Sequence, residues 1–302
     1  LKEAITDRAQ LQKSLEQLFR AADQRYNSGM FSGDDIIFDL SCDVITDMIE
    51  GLYYPQSPYL FNIIEPHLLG KIYELFLTEQ LVLLENGTIG LQQKKECLNR
   101  SVVTTPTEIV KYMVEKTLSK ICQNKTPAEL LELRIADIAC GSGVFLEEAF
   151  SYLQNYCVQW YLNAGQQNHL EEIGIDLYKL PLAEKKKLLC SCIYGIHAVE
   201  VAKFSLLVKL IENETEPSVE TVSPILPDLS ANIFFGNALV SEKELIGIAG
   251  ADSQRLEIVP FDWEKINNGE CFDAIIGNPP YVNTEGMHAL LPSSEVEIYK
   301  KK

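Results

Sequence analysis

Four short apolar runs, each ending in a turn, set the pattern of residues 133–281. The first two runs lead into helical patterns, VFLEEAFSYL and AVEVAKFSLLVKLIE. Short buried strands that alternate with helices form parallel sheets covered on both faces, so this part of the sequence predicts an α/β fold with a doubly wound parallel sheet. The runs are LRIADIA (133–139), SCIYGI (191–196), NIFFGN (232–237) and CFDAIIG (271–277).

Residues 1–100 follow a different pattern. Apolar side chains recur at three- and four-residue steps, as at Leu11, Leu15 and Leu18, which is the spacing of one helix face. No strand is obvious in this region. We therefore predict an all-helical domain over residues 1–100 and the α/β domain over residues 101–302. The second domain begins with a helix for which Thr105 is the expected N-cap and Pro106 the first helical residue.

Composition narrows the classes of protein that this chain can belong to. The sequence has 26 Lys and Arg against 43 Asp and Glu, which gives a net charge of −17. A domain that binds the phosphates of nucleic acid without help from other parts of the protein would be expected to have a positive charge. The eight cysteines show no C-x-x-C pair, and we predict no metal site. No segment has the about 18 consecutive apolar residues of a membrane helix, so we expect a cytoplasmic protein without a membrane partner.

The sequence DIACGSG, residues 137–143, lies between the first predicted strand and its helix. Glycines allow a tight turn and a close approach of ligand to backbone, and the free amides at a helix start favour a negative group. The spacing is neither G-x-G-x-x-G nor G-x-x-x-x-G-K-[ST], which argues against dinucleotides and triphosphates. The motif predicts a ligand-binding loop, and the alternative is a tight turn without a ligand.

The second motif, Asn278-Pro279-Pro280-Tyr281, directly follows the last apolar run. The two prolines remove amide donors and stiffen the loop, which leaves the Asn278 side-chain oxygen and the Pro279 carbonyl as acceptors. Two acceptors can hold an NH₂ group with its lone pair free to attack an electrophilic methyl, while Tyr281 stacks on a planar ring. The motif predicts amine methylation, and the alternative is a plain Pro-Pro loop.

These motifs carry a family resemblance. DIACGSGVFLEEA resembles the S-adenosylmethionine-binding motif of N6-adenine DNA methyltransferases, and IIGNPPYV resembles their catalytic motif, in particular in type I modification subunits and type IIG restriction-modification enzymes. RSVVTTPTEIVKYMV is similar to their Thr-Pro element, and its place before the cofactor motif is the gamma-class order. YNSGMF and LYYPQSPYLFNIIEPHLLGKIYELFL are similar to the segment that precedes the methyltransferase core in type IIG-like proteins.

The resemblance implies an S-adenosylmethionine-dependent methyltransferase fold and transfer of a methyl group from S-adenosylmethionine to the N6 amine of adenine in double-stranded DNA. It also implies a restriction-modification or phage-defence system as the setting. Asn278, Pro279, Pro280 and Tyr281 would form the pocket for the target adenine. Thr105, Pro106, Asp137, Gly141 and Gly143 would surround the methionine portion of the cofactor, and Ala139, Cys140 and Ser142 complete the cofactor motif.

Two further residues have both a functional and a structural interpretation. Asn237, in FFGNALV, matches a residue near the cofactor adenine, and its alternative is a turn residue that closes the third strand. Phe145 either packs against the adenine ring or is a core aromatic.

The sequence departs from the family pattern in two places. The acidic residue expected after the second strand, which would accept the ribose hydroxyls, is missing, because YGI runs directly into His197. We interpret this as a segment omitted from the sequence, with His197 as a solvated loop residue. We also expect the later strands of the sheet and a target-recognition domain to lie outside this sequence, so DNA contacts would come largely from those parts. No nuclease motif is convincing, and a specificity or restriction subunit is an expected partner.

Two other functions are compatible with the motifs. A protein-glutamine or RNA amine methyltransferase would use the same pocket for a planar amine. A non-catalytic scaffold subunit with a methyltransferase fold would account for the missing acidic residue.

Overall fold

The computed structural model describes residues 10–26, 39–57, 79–84, 87–93, 105–196, 199–220, 222–245, 259–263, 266, 271–279, 281, 291 and 293–301. The chain divides into two compact units, one of residues 1–69 and 211–228, the other of residues 70–210 and 229–302. The predicted domain boundary at residue 100 falls between described segments and stays a prediction.

The helices and strands are short, apart from three helices that begin at Leu11, Thr107 and Val144. In chain order they are α1 (Leu11–Tyr26), α2 (Cys42–Gly51), β1 (Glu79–Leu83), β2 (Ile89–Gln93), α3 (Thr107–Ile121), α4 (Pro127–Leu130), β3 (Ile135–Asp137), α5 (Val144–Asn163), a 3-10 turn (Gln167–His169), β4 (Glu171–Gly174), β5 (Leu177–Lys179), α6 (Leu182–Cys192), β6 (Ile193–Ile196), α7 (Val199–Ile211), α8 (Glu216–Glu220), β7 (Ile233–Phe234), α9 (Glu242–Leu245), β8 (Ala274–Ile275) and α10 (Ser293–Lys301). None of the helices in the described part of the chain combines the length and apolarity needed to cross a membrane.

The smaller unit has its own apolar core. Leu11 and Leu15 of α1 pack against Ile45 and Ile49 of α2, and all four side chains are buried. Each pair is spaced by four residues, which places both members on the same face of their helix. The helical pattern predicted for this part of the chain is therefore present in its described residues.

An antiparallel hairpin of β1 and β2 corrects the prediction that residues 1–100 are helical throughout. Leu81 pairs with Leu91 and Leu83 with Ile89, and the turn holds Gly87 at φ +77°. An Asn-Gly dipeptide between apolar, alternating residues favours a hairpin, because a tight turn between two strands needs positive φ. The sequence contains this dipeptide at residues 86–87, so the local turn chemistry prevails over the helical pattern of the preceding residues.

The larger unit is built on a four-stranded parallel sheet with the order β7-β6-β3-β8. Ile135 of β3 lies opposite Ile193 of β6 on one side and Ala274 of β8 on the other. Every residue of β3 and β6 is buried, as expected for central strands covered on both faces. All four strands lie within the predicted apolar runs, and the prediction of a parallel α/β sheet is confirmed.

Helix α5 lies between the sheet and helix α3. It packs on β3 and β6 on one side and against α3 on the other. The face of α3 with Val110, Val114 and Leu118 is buried, and so are Leu146 and Phe150 of α5. Because α3 is held in this way, the residues just before it are fixed relative to the sheet.

Candidate functional site

The site lies where the parallel strands end. Asp137 is the last residue of β3 and Ile196 the last of β6, and β8 leads within three residues to Asn278. Carboxyl ends of parallel strands meet at one edge of a sheet, which is where α/β proteins bind their ligands. The loop after β3 is tied to the neighbouring strand, since the Cys140 amide donates to the Ile196 carbonyl at 3.0 Å.

Two glycines of the DIACGSG loop have left-handed backbones, with φ +52° at Gly141 and +92° at Gly143. Gly143 is the N-cap of α5, and a side chain on it would lie 3.3 Å from the Ala202 Cα of α7. In contrast, apart from its neighbours in the chain, no described residue has an atom within 4 Å of the position that a Gly141 side chain would take. Gly143 is therefore required by packing, whereas Gly141 leaves open space beside the first turn of α5.

Asp137 is the only acidic residue of the loop motif, and its side chain is 1% exposed. Its Oδ1 accepts a hydrogen bond from the Ala139 amide at 3.0 Å. Burial raises the pKa of Asp137 from 3.8 to about 6, because the charged form loses its hydration, and the Ala139 amide opposes this shift. Within the described residues no Lys or Arg pairs with this carboxyl, so an added cation would stabilise it.

Gly277 joins the two motifs. A Cβ on Gly277 would overlap Oδ1 of Asp137 and lie 2.9 Å from its Cγ, so the backbone after β8 packs directly on the buried carboxyl. The sequence analysis did not identify this residue. Its signal is a glycine at the end of a strand, which indicates close approach of another group to the backbone.

Asn278 contacts a residue that is 173 positions earlier in the chain. Its Nδ2 donates to Oγ1 of Thr105 at 3.0 Å, and both residues are half-buried. The prediction that Thr105 is the N-cap of α3 is wrong. The helix begins one residue later than predicted, at Thr107, and its N-cap is Pro106, which has an extended backbone and makes no side-chain capping bond. The structure thus brings two predicted site residues together, and it leaves Asn278 Oδ1 without a hydrogen-bond partner among the described residues.

Two other residues of the NPPY motif lie at the surface. Pro279 is exposed and Tyr281 is 74% exposed, so its ring is accessible to a planar ligand. Pro280 and His197 lie outside the described residues. The pocket roles of these residues stay predictions.

Asn237 has the contacts expected of a turn residue. Its Oδ1 accepts from the Leu239 amide at 3.0 Å, and its Nδ2 donates to the Tyr299 hydroxyl at 2.8 Å. Phe145 is 3% exposed and Ser142 is 7% exposed, so both are buried in this structure. These positions fit the structural alternatives for Asn237 and Phe145, and their roles near the cofactor adenine stay predictions. Tyr299 is a neighbour that the sequence pattern did not indicate.

The chain is similar to known restriction-modification methyltransferases. Residues 191–302 match the model of the Eco57I restriction-modification methylase family. The chain is 40% identical, over 296 residues, to the type II restriction enzyme and methyltransferase RM.Eco57I of Escherichia coli, an alignment that covers 96% of this chain and 29% of that protein. It is 28% identical, over 266 residues, to a candidate type II restriction enzyme and methyltransferase, RM.MjaORFECS2P, of Methanocaldococcus jannaschii, with 71% of this chain and 21% of that protein covered.

The chain therefore spans less than a third of the length of these two relatives. The family resemblance stated from the sequence motifs is confirmed.

Gly277→Ala is expected to destabilise the larger unit. The added methyl group would overlap the buried Asp137 carboxyl, and either the carboxyl or the backbone would have to shift, so the free energy of unfolding should fall by about 1–3 kcal/mol. Urea unfolding followed by circular dichroism measures this change. Gly51→Ala is the matched control, since no atom lies within 4 Å of its added Cβ. Equal stability of Gly277→Ala and the native protein would contradict the close packing.

Asp137→Asn is expected to change how stability depends on pH. The folded pKa of about 6 lies above the ordinary value of 3.8, so ionisation of Asp137 costs more in the folded than in the unfolded protein. The free energy of unfolding of the native protein therefore falls as the pH rises from about 4, and the loss is complete above about pH 6. Asparagine keeps the acceptor for Ala139 and cannot ionise. Between pH 4 and pH 7 the free energy of unfolding of the variant should therefore rise by about 2.4 kcal/mol relative to the native protein.

Denaturant unfolding of both proteins across this pH range gives the difference directly, and the surface variant Asp47→Asn controls for loss of a carboxylate. A difference between Asp137→Asn and the native protein that is constant from pH 4 to pH 7 would contradict the raised pKa.

Proposed function

Since this chain belongs to the Eco57I restriction-modification methylase family, we propose that it is the catalytic part of a DNA methyltransferase that methylates the N6 amine of adenine. The donor in this proposal is S-adenosylmethionine. One observation carries the proposal: the amide of Asn278 is held by Thr105 with Oδ1 free, at the same sheet edge as the glycine loop.

The residues of the loop fit S-adenosylmethionine. Asp137 provides a buried carboxyl that lacks a cation, which suits the ammonium of the methionine portion, and above a pH of about 6 this carboxyl is charged. The amides of the first turn of α5 suit a carboxylate, and Gly141 leaves space beside them. When bound, the cofactor supplies an electrophilic methyl group on a sulfonium.

The acceptors of the NPPY motif suit an exocyclic amine. Asn278 Oδ1 and the Pro279 carbonyl would each accept one N–H of the target, which leaves the nitrogen lone pair directed away from both. No general base is needed to begin the attack. The exposed ring of Tyr281 would stack on the purine, and the adenine would leave the DNA stack to reach it, at a cost of a few kcal/mol.

The charge of this part indicates where DNA binding comes from. A net charge of −17 repels the phosphate backbone, so we place most DNA contacts in other parts of the protein. On this view the chain provides cofactor and base pockets, and the remainder of the protein provides recognition of the DNA sequence. The setting that we propose is a restriction-modification system in the cytoplasm.

Asn278→Ala should abolish methyl transfer and leave cofactor binding nearly unchanged. The substitution removes one of two acceptors for the amine but none of the residues of the glycine loop. Transfer is measured with tritiated S-adenosylmethionine and the complete protein, and cofactor affinity by calorimetric titration. Asn163→Ala, at the exposed end of α5, is the matched control. Equal loss of transfer and cofactor affinity would contradict the role of Asn278.

The substrate is tested by offering the complete protein DNA, RNA and a glutamine-containing release factor separately, each with the labelled cofactor. We expect label in DNA and, after digestion, in N6-methyladenine. Label in RNA or protein alone would identify an amine methyltransferase of another class. Absence of cofactor binding by calorimetry would instead favour the scaffold function.

A further inference from the structure

We propose that Thr105 is a positioning residue for Asn278, whose hydroxyl sets the side-chain amide so that the oxygen faces the amine to be methylated. This inference rests on the proposed function, and it goes beyond the cofactor contact that the sequence predicts for Thr105. The juxtaposition that supports it is the 3.0 Å hydrogen bond between Asn278 Nδ2 and Thr105 Oγ1.

The Thr105 hydroxyl is available to bind Asn278 because it does not cap the helix that follows it. A threonine before a helix usually caps it by accepting a backbone amide. Here Pro106 is the N-cap of α3 and no side chain caps the helix. Among the described residues, Asn278 is the only hydrogen-bond partner of the Thr105 hydroxyl.

The backbone of Asn278 is restrained from both sides, which leaves its side chain as the remaining freedom. Gly277 packs on the Asp137 carboxyl, and Pro279 restricts the preceding residue to an extended backbone. The terminal torsion of an asparagine is broad, however, so its oxygen and nitrogen can exchange places by rotation. A hydrogen bond to the Thr105 hydroxyl restrains that torsion, and in this structure the hydroxyl accepts from Nδ2.

Only one orientation of the amide is productive. With Nδ2 on Thr105, the oxygen faces outward and accepts from the target amine. In the opposite orientation Nδ2 would face the amine, and two donors would meet. The hydroxyl holds the amide plane in place, and the target amine can then be bound in the productive orientation alone.

Thr105→Val tests the proposal, because valine keeps the shape of threonine and removes the acceptor. In the complete protein we expect kcat for DNA methylation to fall roughly 10- to 100-fold, as for a displaced catalytic group, with cofactor affinity changed less than about threefold. Thr105→Ser, which keeps the hydroxyl, should restore most of kcat. Thr107→Val, at an exposed position two residues later, is the matched control.

A second readout does not depend on activity. A crystal structure of Thr105→Val should show the Asn278 side chain rotated or in two orientations, whereas Thr105→Ser should keep the native one. An unchanged Asn278 orientation in Thr105→Val would overturn the proposal, as would a loss of cofactor affinity that accounts for the whole loss of rate. If the native protein does not methylate DNA but the crystal structures differ as expected, the proposed function fails and only the restraint of the Asn278 side chain by Thr105 is supported.

Discussion

The candidate site depends on the close parallel pairing of β3 with β8. The pairing places Ala136 opposite Ile275, and the chain then continues so that Gly277 lies on the Asp137 carboxyl. No other residue type fits there, since any Cβ would overlap the carboxyl oxygen. The loop that holds the cofactor motif and the loop that holds the NPPY motif are thus in direct contact through one residue without a side chain.

Burial under Gly277 makes it unfavourable for the Asp137 carboxyl to be charged. An acid that is 1% exposed and has no cation nearby in the described residues is more stable when protonated. A protein keeps such a group where its charge serves a ligand, and perturbed acids of this kind are frequent at functional sites. The same site therefore combines tight packing with a carboxylate that the Ala139 amide stabilises only in part, so a bound cation would stabilise its charge further.

Much of the fold could be predicted from the sequence, for physical reasons. The apolar runs that end in DIACGSG and GNPPY are short, flanked by turns and separated by helices, and this pattern is nearly specific to parallel sheets. The residues around the Asn-Gly turn of β1 and β2 show no clear alternation, so the turn is the one local signal for this hairpin and does not by itself predict two strands. The antiparallel pair β4 and β5 was also not predicted, since EEIGIDLYK mixes charged and apolar residues without a clear alternation.

The motif residues of the site could likewise be identified, but not their partners. The bond between Thr105 and Asn278 joins residues 173 positions apart, and no local pattern encodes such a pair. Capping rules assigned the Thr105 hydroxyl to the nearest backbone, although tertiary structure uses it elsewhere. Sequence motifs therefore indicate which side chains matter, and only the three-dimensional arrangement shows which of them act on each other.

That separation also has a consequence for synthesis on the ribosome. Thr105 is translated long before Asn278, and at about 5–20 residues per second the delay for 173 residues is roughly 9–35 s. For most of that interval the nascent chain has the glycine loop and lacks the strand that precedes Asn278. The Asp137 carboxyl is therefore without its contact to Gly277 until β8 has been made and has joined the sheet.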